Sequence, residues 1–398
     1  MERPTERLLT PRFGVVVGSG LAYFLSLGML LPVIPRYVQH RLGGGSVGVG
    51  VAVGALFVGA LILRPYAGRI GDRIGRRQLI VVGALVVGVG ALLYGAVSSL
   101  AFLIGARLLA GVGEAAFFVG AATMITDLAP PARRGEAISY WSVAVYGGLA
   151  FGPALGELVV DAGGYETTWL VSAALAGVAA ALGACTREVE RPSGEVSGSV
   201  INRAALGPGT VLFSGLIALA AFTAFVPLYV DQVGLLGADT VFLAYGGLVL
   251  AVRIIGARLP DQLGGRRSGA MALVAVTSGM TVMAGWQSVA GLFVGTVLFA
   301  AGASLLYPAL LLLALGAAPE TQRASVVGTF SSFFDLSQAS GSLIVGGVAA
   351  ATSYRGAFGA GAVCAAAGLV ALPRLTRRRL RPVQLAEEDA FVAEHPAP

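Results

Sequence analysis

The chain contains no lysine. Its 27 basic residues are all arginine, and charged residues of both signs make up only 12% of the sequence. A soluble domain carries about a quarter, so this chain has too few charges to cover a large water-facing surface. Cysteine is nearly absent. The two present, Cys185 and Cys364, fall inside apolar runs and are expected as plain buried thiols. Histidine is equally scarce, with only His40 and His395. That poverty of ligands excludes a disulfide framework and a clustered metal site, so neither metal nor cofactor is expected. There is also no nucleophile–base pairing and no nucleotide loop, which speaks against an enzyme. The glycines of the GVG at 111–113 have no strand before them, so they are better explained as small residues that let helices approach closely.

What is present is apolar. Hydrophobic residues make up 56% and mean hydropathy is +0.81. Twelve apolar runs recur, at 13–35, 46–67, 78–97, 99–124, 137–160, 166–186, 208–230, 239–257, 268–286, 289–317, 324–350 and 354–373. Each approaches the roughly 20 residues that span a bilayer as a helix. They are too long for barrel strands and lack strict alternation. Helices are the remaining way to satisfy a backbone in lipid. The first run has arginines before it. It is too long for a signal peptide, however, and contains Pro32 and Pro35, so it is expected to span.

Arginine sets the expected orientation. With the N-terminus inside, 21 of the 27 arginines fall on the cytoplasmic side. Arg36, Arg41 and Arg355 fall outside, and Arg64, Arg107 and Arg253 lie in or at the ends of runs. Both termini are therefore expected in the cytoplasm. The net charge of +6 belongs to this membrane bias and does not imply nucleic acid. Arginine use, with abundant Gly, Ala and Val, points to a GC-rich prokaryotic genome and hence a prokaryotic plasma membrane.

The sequence also repeats itself. A constant offset of 189 residues maps Arg64 to Arg253, Arg69 to Arg258, Asp72 to Asp261, Gly75 to Gly264 and Arg77 to Arg266. It also maps Pro130 to Pro319, Arg134 to Arg323 and Gly152 to Gly341. The expected organisation is a six-helix bundle over 1–186, a cytoplasmic linker over 187–207, a second bundle over 208–376 and a tail over 377–398. Paired halves of this kind are how many secondary transporters are built, with the substrate near mid-membrane between them.

Three motifs resemble those of the major facilitator superfamily. GRIGDRIGRR is similar to its helix 2–3 loop motif at Gly68, Asp72, Arg73, Gly75, Arg76 and Arg77. RLLAGVGEAAF resembles its fourth-helix motif through Arg107, Gly111 and Gly113. GLAFGPALGE resembles the fifth-helix motif of the drug:proton antiporter branch through Gly148, Gly152, Pro153 and Gly156, with Glu157 where a second glycine is usual. The resemblance implies an all-α fold of twelve transmembrane helices in two pseudo-symmetric bundles, acting by alternating access. It further implies a cytoplasmic gate in which Asp72 meets the start of helix eleven near Ala324, while Arg73 or Arg76 meets Asp127. In the family, the position of Arg107 is linked to proton coupling.

Few ionisable residues lie away from the outer ends of the runs: Arg107, Glu114, Glu157 and Asp335, with Arg64 and Arg253 toward the cytoplasmic ends of theirs. A charge at mid-span costs about 2.5–3.5 kcal/mol on insertion scales, so each calls for a partner or a function. Asp335 ranks first and Glu114 second as the carboxyl that binds and releases a proton. Arg107, seven residues before Glu114, shares nearly the same helical face and is expected to look into the same cavity. Ser331, Asp335, Gln338 and Ser342 form one polar stripe on helix eleven. Tyr23, Ser26, Tyr146, Phe222, Phe225, Ser304 and Tyr307 add hydroxyls and rings suited to a small neutral, amphipathic or weakly cationic molecule. The expected protein is a monomeric proton-coupled exporter whose partners are the lipid bilayer, a small-molecule substrate and protons. An importer or facilitator, or a membrane sensor on the same scaffold, are the alternatives.

Overall fold

A computed structural model describes residues 8–130, 133–188, 201–256, 262–318 and 323–377. Among these residues the chain is helical almost throughout and contains no strand. The helices are α1 Pro11–His40, α2 Gly45–Ile74, α3 Arg76–Tyr94 and α4 Leu100–Leu128. The long run Arg134–Ala184 breaks at Gly164, whose φ of 75° and ψ of −175° leave the helical region, so it is two helices, α5 (134–163) and α6 (165–184). The second half supplies α7 Arg203–Tyr229, α8 Asp239–Ile255, α9 Gly265–Gly285, α10 Val289–Gly316, α11 Arg323–Ala351 and α12 Tyr354–Arg377. The described residues thus form twelve long helices.

Nine described helical runs are long and apolar enough to cross a membrane. One of them, Tyr140–Ala184, holds most of α5 and all of α6. Outside that set are α8, with 17 residues, and α11, which carries Asp335 and several serines.

Two boundaries differ from expectation. The basic stretch at 64–77 is not a loop. α2 continues to Ile74, since arginine and isoleucine tolerate a helix, and the turn narrows to Gly75. That residue has φ 102° and ψ 150°, a conformation that needs glycine. Second, α7 begins at Arg203, within the segment expected as a linker, because Asn202 caps it by accepting the amide of Ala204 at 3.0 Å.

The repeat offset reappears in the local structure. Ser99 caps α4 and Ser288 caps α10, each accepting an amide three residues on. Gly75 and Gly264 both have positive φ and precede α3 and α9. Within the first half α1 packs on α5 and α6, and α4 on α2 and α3. Within the second, α7 packs on α11 and α12, and α9 on α10 and α12. The halves meet along α2–α11, α5–α8 and α1–α7. On the side remote from the described chain ends the approach is backbone to backbone. A Cβ on Gly50 of α2 would lie 2.2 Å from the carbonyl oxygen of Ser342 on α11.

Candidate functional site

Arg64 lies on α2, facing both α4 and α11. Its Nη2 donates to Glu114 Oε2 at 2.8 Å, and its Nε lies 2.6 Å from Asp335 Oδ2. Glu114 belongs to the first half and Asp335 to the second, so one guanidinium ties the halves together. The side chains are 11%, 9% and 1% exposed for Arg64, Glu114 and Asp335. One guanidinium offsets only one of two carboxylate charges, so the buried cluster is held by short contacts to a shared cation, and losing that cation strands both acids. The ring of Phe118 lies 5.0 Å from the guanidinium carbon and adds a cation–π contact.

Around this triad lie polar groups from both halves. The Tyr307 hydroxyl is 2.9 Å from Ser331 Oγ, and Tyr307 is within electrostatic reach of Tyr146, Arg64 and Asp335. Tyr23 is fully buried and stacked on Phe117 at 3.7 Å, within reach of Glu114 and Arg64. Across α5 and α8, Arg253 lies over the ring of Tyr146, its guanidinium carbon 3.3 Å from the centroid.

Other expected site residues are placed elsewhere. Arg107 does not join the triad: its Nε and Nη2 donate to the carbonyls of Ala52 and Val53 on α2, at 3.0 and 3.4 Å. One helical face is not one direction, because a long side chain swings to whichever neighbouring backbone it can reach. Ser26 bonds Ser172 inside the first half. Ser304 is buried and donates to the Ala301 carbonyl of its own helix. Phe222 is fully buried among Phe242, Tyr245 and Phe299, and Phe225 is stacked on Tyr354. The stripe on α11 divides: Ser331 and Asp335 face the site, Ser342 abuts Gly54 of α2, and Gln338 turns to the Leu216 carbonyl of α7 at 3.4 Å.

The fifth-helix motif is an α1–α5 seam. A Cβ on Gly152 would meet the Gly28 backbone at 2.8 Å, and Gly148 and Gly156 are as tightly placed. Pro153 stands inside the same run. Glu157, fully buried, pairs with Arg36 at 2.5 Å. Arg36 also approaches the Pro227 carbonyl of α7 at 3.4 Å. At the opposite end Arg76 pairs with Asp127 while Arg73 and Arg77 are exposed. The Glu188 carboxylate accepts the backbone amides of Arg76 and Arg77 at 2.8 and 3.1 Å, capping α3. The surroundings of Gly68, the side chain of Asp72 and that of Ala324 lie outside the described residues.

Sequence reasoning passed over Arg64 as a site residue because it stands near the end of its apolar run. The available signal was its recurrence, in the repeat, as Arg253.

Two apolar helical halves joined by a buried charged cluster are the architecture of a secondary membrane transporter. The chain belongs to the Major Facilitator Superfamily, whose family model matches residues 16–277 and 240–396. Its members are transporters and not enzymes. Over 370 residues, 89% of this chain and 94% of the relative, it is 28% identical to an uncharacterized MFS-type transporter of Salmonella typhimurium. The fold is similar to that of the human organic anion transporter MFSD10, with TM-score 0.69, 18% identity and coverage of 93% of this chain and 100% of that one. It is also similar to that of the nucleoside transporter NupG, with TM-score 0.74, 12% identity and coverage of 92% and 99%. One fold serving such unlike solutes does not specify the substrate here.

Proposed function

We propose that this chain expels a small amphipathic molecule across a prokaryotic plasma membrane in exchange for protons, with both termini in the cytoplasm. The observation that carries the reading is Arg64 held between Glu114 and Asp335, carboxylates of opposite halves. With both acids ionised, Arg64 joins α2 and α4 to α11. Protonation of Asp335 removes the charge that holds the arginine across the interface and leaves it with Glu114 alone. The halves, α1–α6 and α7–α12, then rock as units and expose the site to the other side. The pair Arg76–Asp127, together with Asp72, closes the cytoplasmic face in one of the two states. Arginine bias supports the orientation, and the fifth-helix motif supports exchange rather than uptake.

The test is a resistance screen in cells stripped of their own exporters. Expression of the chain raises tolerance to at least one amphipathic compound, and a proton uncoupler abolishes the gain. A gain that survives the uncoupler removes proton coupling; uptake of the compound in place of resistance reverses the direction.

A further inference from the structure

The repeat offset of 189 residues carries Arg64 onto Arg253, and it carries Tyr146 onto Asp335. The two contacts across the halves are therefore related by the internal symmetry. Arg64 of the first half meets Asp335 of the second. Arg253 of the second half meets Tyr146 of the first. The third member obeys the same offset, because Glu114 corresponds to Ala303. Both carboxylates that neutralise Arg64 are thus replaced, at the corresponding positions, by a phenol ring and a methyl group.

The arginine itself is kept. Arg253 is partly buried, its Nε is buried without a hydrogen bond, and it is paired with no carboxylate among the described residues. A guanidinium in the interior of a membrane protein without a counter-ion is costly. Its contact with Tyr146 is to the ring, which supplies no acceptor for the guanidinium N–H groups. Tyr245, backed by the buried rings of Phe222 and Phe299, is within electrostatic reach of both Arg253 and Tyr146. A forked donor near these rings matches a carboxylate borne on a ring or short hydrocarbon body.

We propose that Arg253 is the docking site for the carboxylate of an amphipathic organic monoanion, held against Tyr146 and Tyr245. This rests on the transport reading above and narrows its amphipathic substrate to an acidic one, in place of the neutral or weakly cationic molecule expected from the sequence. The symmetry then divides the labour: the Arg64 copy keeps its acids and handles the proton, while the Arg253 copy has lost them and handles the substrate's charge.

The test uses three matched probes on the purified full-length protein: 2-naphthoate, 2-naphthalenemethanol and 2-naphthalenemethylammonium. Binding is read by intrinsic fluorescence. The carboxylate binds about tenfold or more tighter than the alcohol, the scale of one charge-assisted pair, and the ammonium binds weakest. Arg253→Gln erases the difference between carboxylate and alcohol, and Arg253→Lys restores part of it. Equal binding of the three probes by the unmodified protein, no binding of any, or a preference for the ammonium overturns the proposal. So does a carboxylate preference that persists in Arg253→Gln. Comparison of the probes on the unmodified protein needs no variant to fold. Proton release on adding the alcohol, and its loss in Asp335→Asn, reads the coupling proposal separately, so either can fail alone.

Discussion

Arg64 Nε and Asp335 Oδ2 lie 2.6 Å apart, although one belongs to α2 of the first half and the other to α11 of the second. Arg64 also holds Glu114, on its own side of the interface, at 2.8 Å. One cation is thus shared by two acids, and only its contact with Asp335 crosses between the halves.

The first prediction concerns the arginine. Arg64→Gln leaves two buried carboxylates facing one another and costs about 3–5 kcal/mol. Adding Asp335→Asn and Glu114→Gln to it restores most of the loss. Thermal unfolding of the single and triple variants in detergent checks this. A triple variant no more stable than Arg64→Gln shows that the charges are not mutually compensated.

The second concerns the far-side clamp. Arg36→Ala leaves Glu157, which is fully buried, without its cation and destabilises by about 3–5 kcal/mol, whereas replacing both by leucine is close to neutral. A double-mutant cycle on unfolding measures the coupling. Because Arg36 also touches α7, thiol labelling of Val230→Cys, buried just after α7, in a background lacking Cys185 and Cys364, is expected to speed up in Arg36→Ala. An unchanged labelling rate limits Arg36 to a role within the first half.

Packing at the α1–α5 seam gives the third. A Cβ on Gly156 would fall 2.0 Å from the Met29 carbonyl oxygen, while one on Gly147 meets only Leu21 at 3.6 Å. Gly156→Ala therefore forces the helices apart and costs about 1–3 kcal/mol; Gly147→Ala is near neutral. Folded yield and unfolding midpoint distinguish them, and equal behaviour contradicts the seam.

A fourth prediction lies at the helix 2–3 turn. Glu188 caps α3 from outside the first bundle. Glu188→Ala costs about 0.5–2 kcal/mol, as loss of a helix cap does. Asp127→Asn, which breaks a partly exposed pair with Arg76, costs under about 1 kcal/mol. Its effect is expected instead on transport rate, measured by flux into vesicles.

Much of the fold was legible because insertion in lipid leaves a chain so little choice. Length and apolarity mark the helices, and the offset of 189 marks the two halves. The caps at Ser99 and Ser288 and the turns at Gly75 and Gly264 follow that same offset. Glu114 and Asp335 stood out because a charge in an apolar run is expensive. Their meeting through Arg64 was not legible: which helices cross, and at what height, is set by packing between distant segments. The same reason explains Arg107, which shares a helical face with Glu114 yet reaches the backbone of α2. Tyr23 and Phe222 read as plausible cavity residues, but ring packing within each half takes up their faces.

The central claim is that Asp335 carries the proton that frees Arg64. The most direct measurement is substrate-driven proton movement in vesicles containing purified protein, with the resistance-screen compound as substrate. The unmodified protein and Glu114→Asp move protons against the substrate gradient. Asp335→Asn is expected to bind the compound but move no protons. Coupled proton flux undiminished in Asp335→Asn contradicts the account.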